Sequence, residues 1–197
     1  MPWIDTGADE DVVVRLSRGG GLPAWAPDVE GLAVRHQGEG PPVDLLLATT
    51  GWRPVSRHLL TFHRSAGRAG YTTLLPLRGP RGPILLAAQP LPQRRLPPDP
   101  VARGVLLAGQ PLRLRLLWAT PLGSWQRFGS LEVGGPVSAR PDLPIRFDPE
   151  NAPPGLGTYP WVTALRDPAY RAARRAVGPS SPQDGEEQLQ DEKPGGG

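Results

Sequence analysis

The chain has 197 residues, a formal net charge of +3 at pH 7 and no cysteine. This length suits one domain with a sizeable core, and the lack of cysteine excludes disulfides, thiolate catalysis and cysteine-ligated metals. No apolar run approaches the ~20 residues that a transmembrane helix needs, and the N-terminus is too polar and acidic for a secretory signal. We therefore expect a cytoplasmic protein without membrane association.

Charge is distributed unevenly along the chain. Residues 1–178 carry 21 arginines and 14 acids, whereas residues 179–197 carry one lysine and five acids. Because the arginines are scattered and are not interleaved with aromatic residues, the sequence gives no specific nucleic-acid signal. The acidic end has almost no apolar content, so we predict a disordered tail over residues 179–197.

Short apolar or alternating runs, bounded by glycine and proline, dominate the body of the chain. Regularly spaced runs of this kind predict an antiparallel sheet or barrel. The predicted strands cover residues 12–17, 32–35, 44–50, 71–78, 83–89, 104–107, 112–120 and 129–133.

The clearest alternation lies between Leu112 and Leu116, where leucines occupy one face of the strand and arginines the other. The outward residues are Arg113 and Arg115. The pattern favours a solvated outer face, and a cationic face over a ligand is the alternative.

Helix signals are few and lie mostly near the C-terminus. Asp167 can cap a helix, Pro168 suits its first position and Gly178 can end it. A weaker pattern predicts a helix over residues 54–63, and residues 90–100 are predicted to form a proline-rich loop.

Three segments near the N-terminus carry a family resemblance. They are the run Val14-Arg15-Leu16-Ser17, the run Asp-Val-Glu-Gly-Leu-Ala-Val-Arg at residues 28–35, and Asp44-Leu45-Leu46. In order and spacing these resemble three strands of the haem-dependent catalase superfamily.

The resemblance covers residues 12–50 best. The chain as a whole is similar to short catalase-like proteins of GC-rich bacteria, some of which are called phosphodiesterases. It implies a mainly β, antiparallel, catalase-like β-barrel over residues 1–178, with a C-terminal helix and few other helices.

The chain departs from the catalase pattern at the catalytic positions. It has no histidine before His36, where the distal histidine would lie. A natural chain that starts further upstream and supplies this histidine is one alternative, which would favour haem chemistry, and a chain without it is the other, which would favour binding alone. The distal asparagine is missing at residues 48–50, and no tyrosine has the proximal-ligand context, so haem has no axial ligand in this sequence. The resemblance implies a haem-propionate contact for Arg15, and a structural ion pair is the alternative.

Other chemistry finds little support in the residue pattern. His58 and His63 are five residues apart, which is poor spacing for two metal ligands on a helix, so polar loop residues are favoured over a metal or acid–base pair. His36 follows a matched strand at a loop entrance and is expected to face solvent. A two-metal phosphodiesterase needs several convergent carboxylates and histidines, and no such pattern is found, so no metal is predicted. The glycines at 19–21 lie between the first two predicted strands. They could expose backbone N–H groups to an anion, or they could form a tight connection between the strands with positive φ angles, and the second interpretation is favoured.

Four residues form the predicted ligand site. Trp25 and Trp52 flank the first matched strands, and Arg15 and Arg35 bring positive charge to the same region. Because barrels often keep a ligand cavity, the sequence predicts a non-catalatic protein that binds a small anionic or porphyrin-like ligand. One alternative is an enzyme, either a phosphodiesterase-like hydrolase or a haem-dependent peroxide-using enzyme. Another is a structural or interaction module.

Overall fold

The structure is a computed structural model, and it describes residues 7, 9–36, 40–136, 147–148 and 151–160. All of them lie within one compact unit, Met1–Val162. The predicted C-terminal helix, the acidic tail and the domain boundary at residue 178 lie outside the described residues.

The described chain is mainly antiparallel β-structure, as the sequence predicts. Its strands follow the order β1-β2-β3-β4-β6-β7-β8 in one sheet that curls into a half-barrel, and β5 pairs with β6. The strands are β1 (Val12–Arg18), β2 (Glu30–His36), β3 (Val43–Thr49), β4 (Tyr71–Thr72), β5 (Leu77–Gly79), β6 (Gly82–Pro90), β7 (Leu112–Ala119) and β8 (Gln126–Val133). One α-helix, α1, spans Pro100–Gly109, and 3-10 turns cover Ser56–His58 and Ala66–Arg68.

The concave face of the sheet holds the core. Because side chains alternate across a strand, Leu112 and Leu114 of β7 are buried inside, whereas Arg113 and Arg115 are exposed outside, as predicted. The other core side chains come from the remaining strands and from α1. They include Leu32, Val34, Leu45, Leu47, Tyr71, Ile84, Leu86, Leu107 and Leu131.

The segment around Ser56–His58 lies against part of the convex face. Thr72 of β4 donates a hydrogen bond to the carbonyl of Arg57. On the neighbouring strands, Ala87 of β6 lies opposite Thr72, and Leu117 of β7 lies opposite Ala87. Ala87 and Leu117 are buried although they point away from the concave core. The sheet is therefore covered on both faces in this region.

Three of the sequence-based element predictions are wrong in detail. The predicted strand at 104–107 is the second half of α1, which begins because the Asp99 side chain accepts a hydrogen bond from Ala102 N. The predicted helix at 54–63 contracts to a 3-10 turn. The predicted strand at 71–78 is divided into β4 and β5 by Leu74, whose φ of 59° breaks the extended run.

None of the helices in the described chain has the length and apolar character needed to cross a bilayer.

Candidate functional site

A groove on the convex face of β7 and β8 carries several charged side chains. Its volume is about 420 Å³. It is lined by Leu91, Arg113, Leu114, Arg115, Arg127, Ser130, Leu131 and Glu132.

Strand register brings the polar groups of this groove together. Ser130 of β8 is paired with Arg115 of β7, and Glu132 is paired with Arg113. The register shifts between Leu116 and Leu117, and this irregularity sets Arg127 opposite Leu117. Three arginines therefore converge on one hydroxyl and one carboxylate on the same face.

The hydrogen bonds of the groove leave most of its positive charge uncompensated. Arg113 Nε donates to Glu132 Oε2 at 2.9 Å, and both side chains are well exposed. Arg127 Nε makes only a long contact of 3.4 Å to the Gly129 carbonyl, and no described residue bonds the Arg115 side chain. One carboxylate thus faces three guanidinium groups.

The chemistry of the groove suits a small anion. A guanidinium group presents a planar fork of donors that matches carboxylate or phosphate oxygens in pairs. The exposed Arg113–Glu132 pair contributes only about 0–1 kcal/mol, so a ligand can compete with it at little cost. Ser130 adds a hydroxyl between the cationic side chains.

Of the four residues predicted to bind a ligand, the two arginines lie on one face of the β1–β2 pair. Arg15 is opposite Ala33 and is exposed, while Arg35 is opposite Val13. Arg35 holds Asp44 through two hydrogen bonds, Nε to Oδ1 at 2.6 Å and Nη2 to Oδ2 at 2.5 Å. This pairing raises the pKa of Arg35 further, so its charge is engaged in a structural ion pair.

The two tryptophans of the predicted site occupy different loops. Trp25 is 79% exposed in the connection between β1 and β2. Trp52 follows β3 and packs edge-to-face on Trp125, with ring centroids 5.3 Å apart. A Cβ added at Gly70 would meet the Trp52 ring at 2.4 Å, so this ring lies directly on the backbone.

The N–H groups of the glycine-rich crossing bind a carboxylate of the chain itself, that of Asp28. The Asp28 carboxylate accepts hydrogen bonds from the backbone N–H groups of Gly20, Leu22 and Val29, at 2.8, 3.3 and 2.7 Å. Arg18 adds an ion pair at 3.4 Å. Gly21 has a φ of 64°, so the predicted positive-φ crossing is present, and its N–H groups serve to fix Asp28.

Burial and hydrogen bonding act in opposite directions on Asp28. Burial alone would raise its pKa, but the three backbone N–H groups and the positive charge of Arg18 together hold the pKa below its ordinary value. Asp28 is therefore ionised at neutral pH and joins the crossing to the start of β2.

Arg57 is a buried cation without a carboxylate partner among the described residues. Its guanidinium donates to the carbonyls of Thr120, Gly123 and Trp52, and its Cζ lies 4.4 Å from the centroid of the Trp125 ring. Nε has no hydrogen-bond partner, and burial lowers the pKa of Arg57. We name this arrangement the Arg57 cage.

A second buried polar group faces the concave core. Glu30 is 3% exposed, and its Oε2 has no hydrogen-bond partner. Burial raises the pKa of Glu30, an effect that the positive charges of Arg103 and Arg18 oppose. Tyr71 is also buried, which raises its pKa, and its hydroxyl donates to the Ala66 carbonyl at 2.7 Å.

The three histidines make separate local contacts. His36 Nε2 lies 3.2 Å from Glu10 Oε2, His58 Nδ1 lies 2.9 Å from the Leu74 carbonyl, and His63 Nε2 lies 3.0 Å from Thr61 Oγ1. Burial lowers the pKa of His63. Over the described ranges, no group of three or more histidine, aspartate or glutamate side chains could hold a metal ion.

The candidate residues that could not be found from the sequence share one property: their partners lie far away in the chain. Arg57 bonds to residues 63 and 66 positions further on, and Arg127 joins the groove only through the pairing of β7 with β8. The alternation at Arg113 and Arg115 was the one available signal for the groove.

No protein-family model, curated protein or solved structure matches the chain. A function for this chain therefore rests on its own geometry and residue chemistry.

Proposed function

We propose that this protein is a binding protein for a small anionic ligand, built on a catalase-like half-barrel that lacks the catalase catalytic residues. The observation that carries the proposal is the groove in which Arg113, Arg115 and Arg127 face a single carboxylate, Glu132. The ligand class is a small molecule with at least one carboxylate or phosphate group, and a porphyrin with its two propionates belongs to that class.

Binding in this groove would exchange water for an anion. The guanidinium of Arg115 would form paired hydrogen bonds with the ligand, and Ser130 opposite it would donate or accept a third. Arg127 would approach the ligand from beyond the register shift at Leu116 and Leu117, because it is paired with Leu117. Because all these groups are exposed, their affinity for an anion should fall as salt concentration rises.

The test is a calorimetric titration of the protein with citrate, inorganic phosphate and haemin at low and moderate salt. We expect Arg115→Ala and Arg127→Ala each to weaken binding of the preferred probe at least about tenfold, because a hydrogen bond to a charged group contributes about 1.5–3 kcal/mol. Arg81→Ala, which removes an exposed arginine outside the groove, is the matched control and should bind normally.

Two outcomes would overturn the proposed site. If no probe binds saturably, the groove is a solvated outer face. If haemin binds and the complex is lost in Arg15→Ala but kept in Arg115→Ala, the ligand lies on the β1–β2 side, where the catalase resemblance places it. A haemin complex is followed by its Soret absorbance.

A further inference from the structure

Five exposed apolar side chains lie on two segments outside the groove. Leu22, Trp25, Leu59, Leu60 and Phe62 are between 43% and 79% exposed. They occupy the β1–β2 crossing and the stretch that follows the Ser56–His58 turn. We call these five residues the apolar tip.

The two segments of the apolar tip are joined through Asp28. The backbone of Asp28 exchanges two hydrogen bonds with His63, each 2.8 Å long, directly beside Phe62. Its carboxylate holds the N–H of Leu22 in the crossing. Thr61 is tied in turn to Thr49 at the end of β3, by its N–H and its carbonyl. The apolar side chains therefore project from neighbouring segments at one end of the sheet.

Trp25 is displayed by a loop that is held in place. The Arg18 guanidinium donates to the carbonyls of Pro23, Ala24 and Ala26, at distances from 2.9 to 3.1 Å. These bonds bracket Trp25 and fix the backbone on both sides of it. The loop therefore presents the indole ring of Trp25 to water in a fixed position, and tryptophan is a residue type that is enriched at interfaces and at membrane surfaces.

The charges around the apolar tip have one sign. Arg53, Arg64 and Arg68 are exposed on the segment that carries Phe62. Residues 19–27 and 51–70 contain no acid, and the nearest acid in the chain, Asp28, is buried and bonded to Arg18. The surface is thus both apolar and basic.

We propose that the apolar tip docks on the surface of an anionic lipid bilayer. Trp and Phe side chains insert favourably at the level of the lipid headgroups, and each arginine near an anionic surface strengthens binding roughly fivefold. A second copy of this chain fits less well, because it would bring Arg53, Arg64 and Arg68 against their own copies. This partner differs from the sequence-based expectation of no membrane association, which rested on the lack of a spanning segment.

The experiment measures binding of the whole protein to vesicles by sedimentation and by tryptophan emission. Vesicles of phosphatidylglycerol and phosphatidylcholine in equal parts are compared with vesicles of phosphatidylcholine alone. We expect binding to the anionic vesicles only, with a blue shift of the emission that disappears in Trp25→Phe. Lipids brominated on their acyl chains should quench the same signal.

Three variants assign the binding to residues. Trp25→Ala and Phe62→Ala should each lower the partition coefficient roughly tenfold, because each removes a large apolar side chain. Arg64→Ala should lower it roughly fivefold. Val105→Ala, which truncates an apolar residue that is exposed on α1, is the matched control and should bind as the parent protein does. Unfolding curves of all variants verify that they fold.

Several results would overturn this proposal. They are the absence of vesicle binding, equal binding to neutral vesicles, and binding that survives in the Trp25→Ala, Phe62→Ala double variant. A stable dimer that dissociates in the same double variant would assign the apolar tip to self-association instead. Arg115→Ala should leave vesicle binding unchanged. A negative result for anion binding in the β7–β8 groove therefore does not affect the test of the apolar tip.

Discussion

Arginine has opposite roles in two regions of this molecule. In the Arg57 cage a single guanidinium is buried to 2% exposure and every bond it makes to a described residue goes to a backbone carbonyl. In the β7–β8 groove, Arg115 and Arg127 are exposed and have few bonds to the protein. The comparison shows that the number of arginines is a poor guide to ligand binding. The better guide is how many guanidinium N–H groups are left without a hydrogen bond to the protein.

The difference between the two regions has a physical basis. Removing a cation from water is costly unless dipoles and a π-system replace the lost hydration, and the cage supplies both. Only a planar guanidinium can reach three carbonyls and stack on Trp125 at once. The groove arginines keep their water and can exchange it for an anion.

The largest expected effect comes from breaking the cage. Arg57→Met keeps an unbranched apolar side chain but removes the guanidinium donor from three carbonyls. The Thr120 and Trp52 carbonyls keep a second donor, whereas the Gly123 carbonyl loses its guanidinium bond. We expect the change to lower the free energy of unfolding by about 3 kcal/mol. Urea unfolding measures the loss. Arg57→Lys should be intermediate, since it keeps the charge without the planar fork. An unchanged urea midpoint in Arg57→Met would show that the cage contributes nothing to stability.

The next effect tests the carboxylate that the glycine-rich crossing holds. Asp28→Asn removes the charge beside Arg18 and places an amide donor against backbone donors, so we expect a loss of about 2 kcal/mol. Asp99→Asn is the matched control, because asparagine caps a helix as well as aspartate does.

The same variant has a predicted pH dependence. The folded state lowers the pKa of Asp28, so its stabilisation is complete above the ordinary pKa of an aspartate and disappears as pH falls through the lowered value. Thermal unfolding of the parent protein should therefore shift downward in acid more steeply than that of Asp28→Asn. Parallel pH profiles would contradict this assignment.

The smallest of the three effects has the opposite sign. Burial raises the pKa of Glu30, so this carboxyl favours the folded state below its ordinary pKa and costs stability once pH rises above the raised value. Glu30→Gln should therefore stabilise the protein at neutral pH by about 1 kcal/mol, and the gain should vanish in acid. Destabilisation at neutral pH would mean that attraction to Arg103 outweighs burial.

Local patterns explain why the sheet was predictable. The alternation through Arg113 and Arg115 indicated which face of β7 is buried, and glycine and proline marked the strand ends. Helix α1 was missed although Asp99 and Pro100 carry the same capping signal that was read at Asp167. The run of prolines before it and Gly104 within it masked the helical pattern.

The polar interior could not be predicted in the same way. The bonds of Arg57 to the β7–β8 turn and the contact of Asp44 with Asp148 both depend on tertiary structure, and no short segment shows them. The predicted site residue Arg35 illustrates this limit, since its ion pair with Asp44 required the register of β2 with β3.

The Arg57 cage also has a consequence for local motion. It fastens the segment after β3 to the turn between β7 and β8, and the Trp125 indole adds a hydrogen bond to the same Trp52 carbonyl. Neither segment can lift from the sheet without breaking bonds to the other. Two stretches some seventy positions apart should therefore open as one cooperative unit, so their amide hydrogens should show one common free energy of opening in hydrogen exchange.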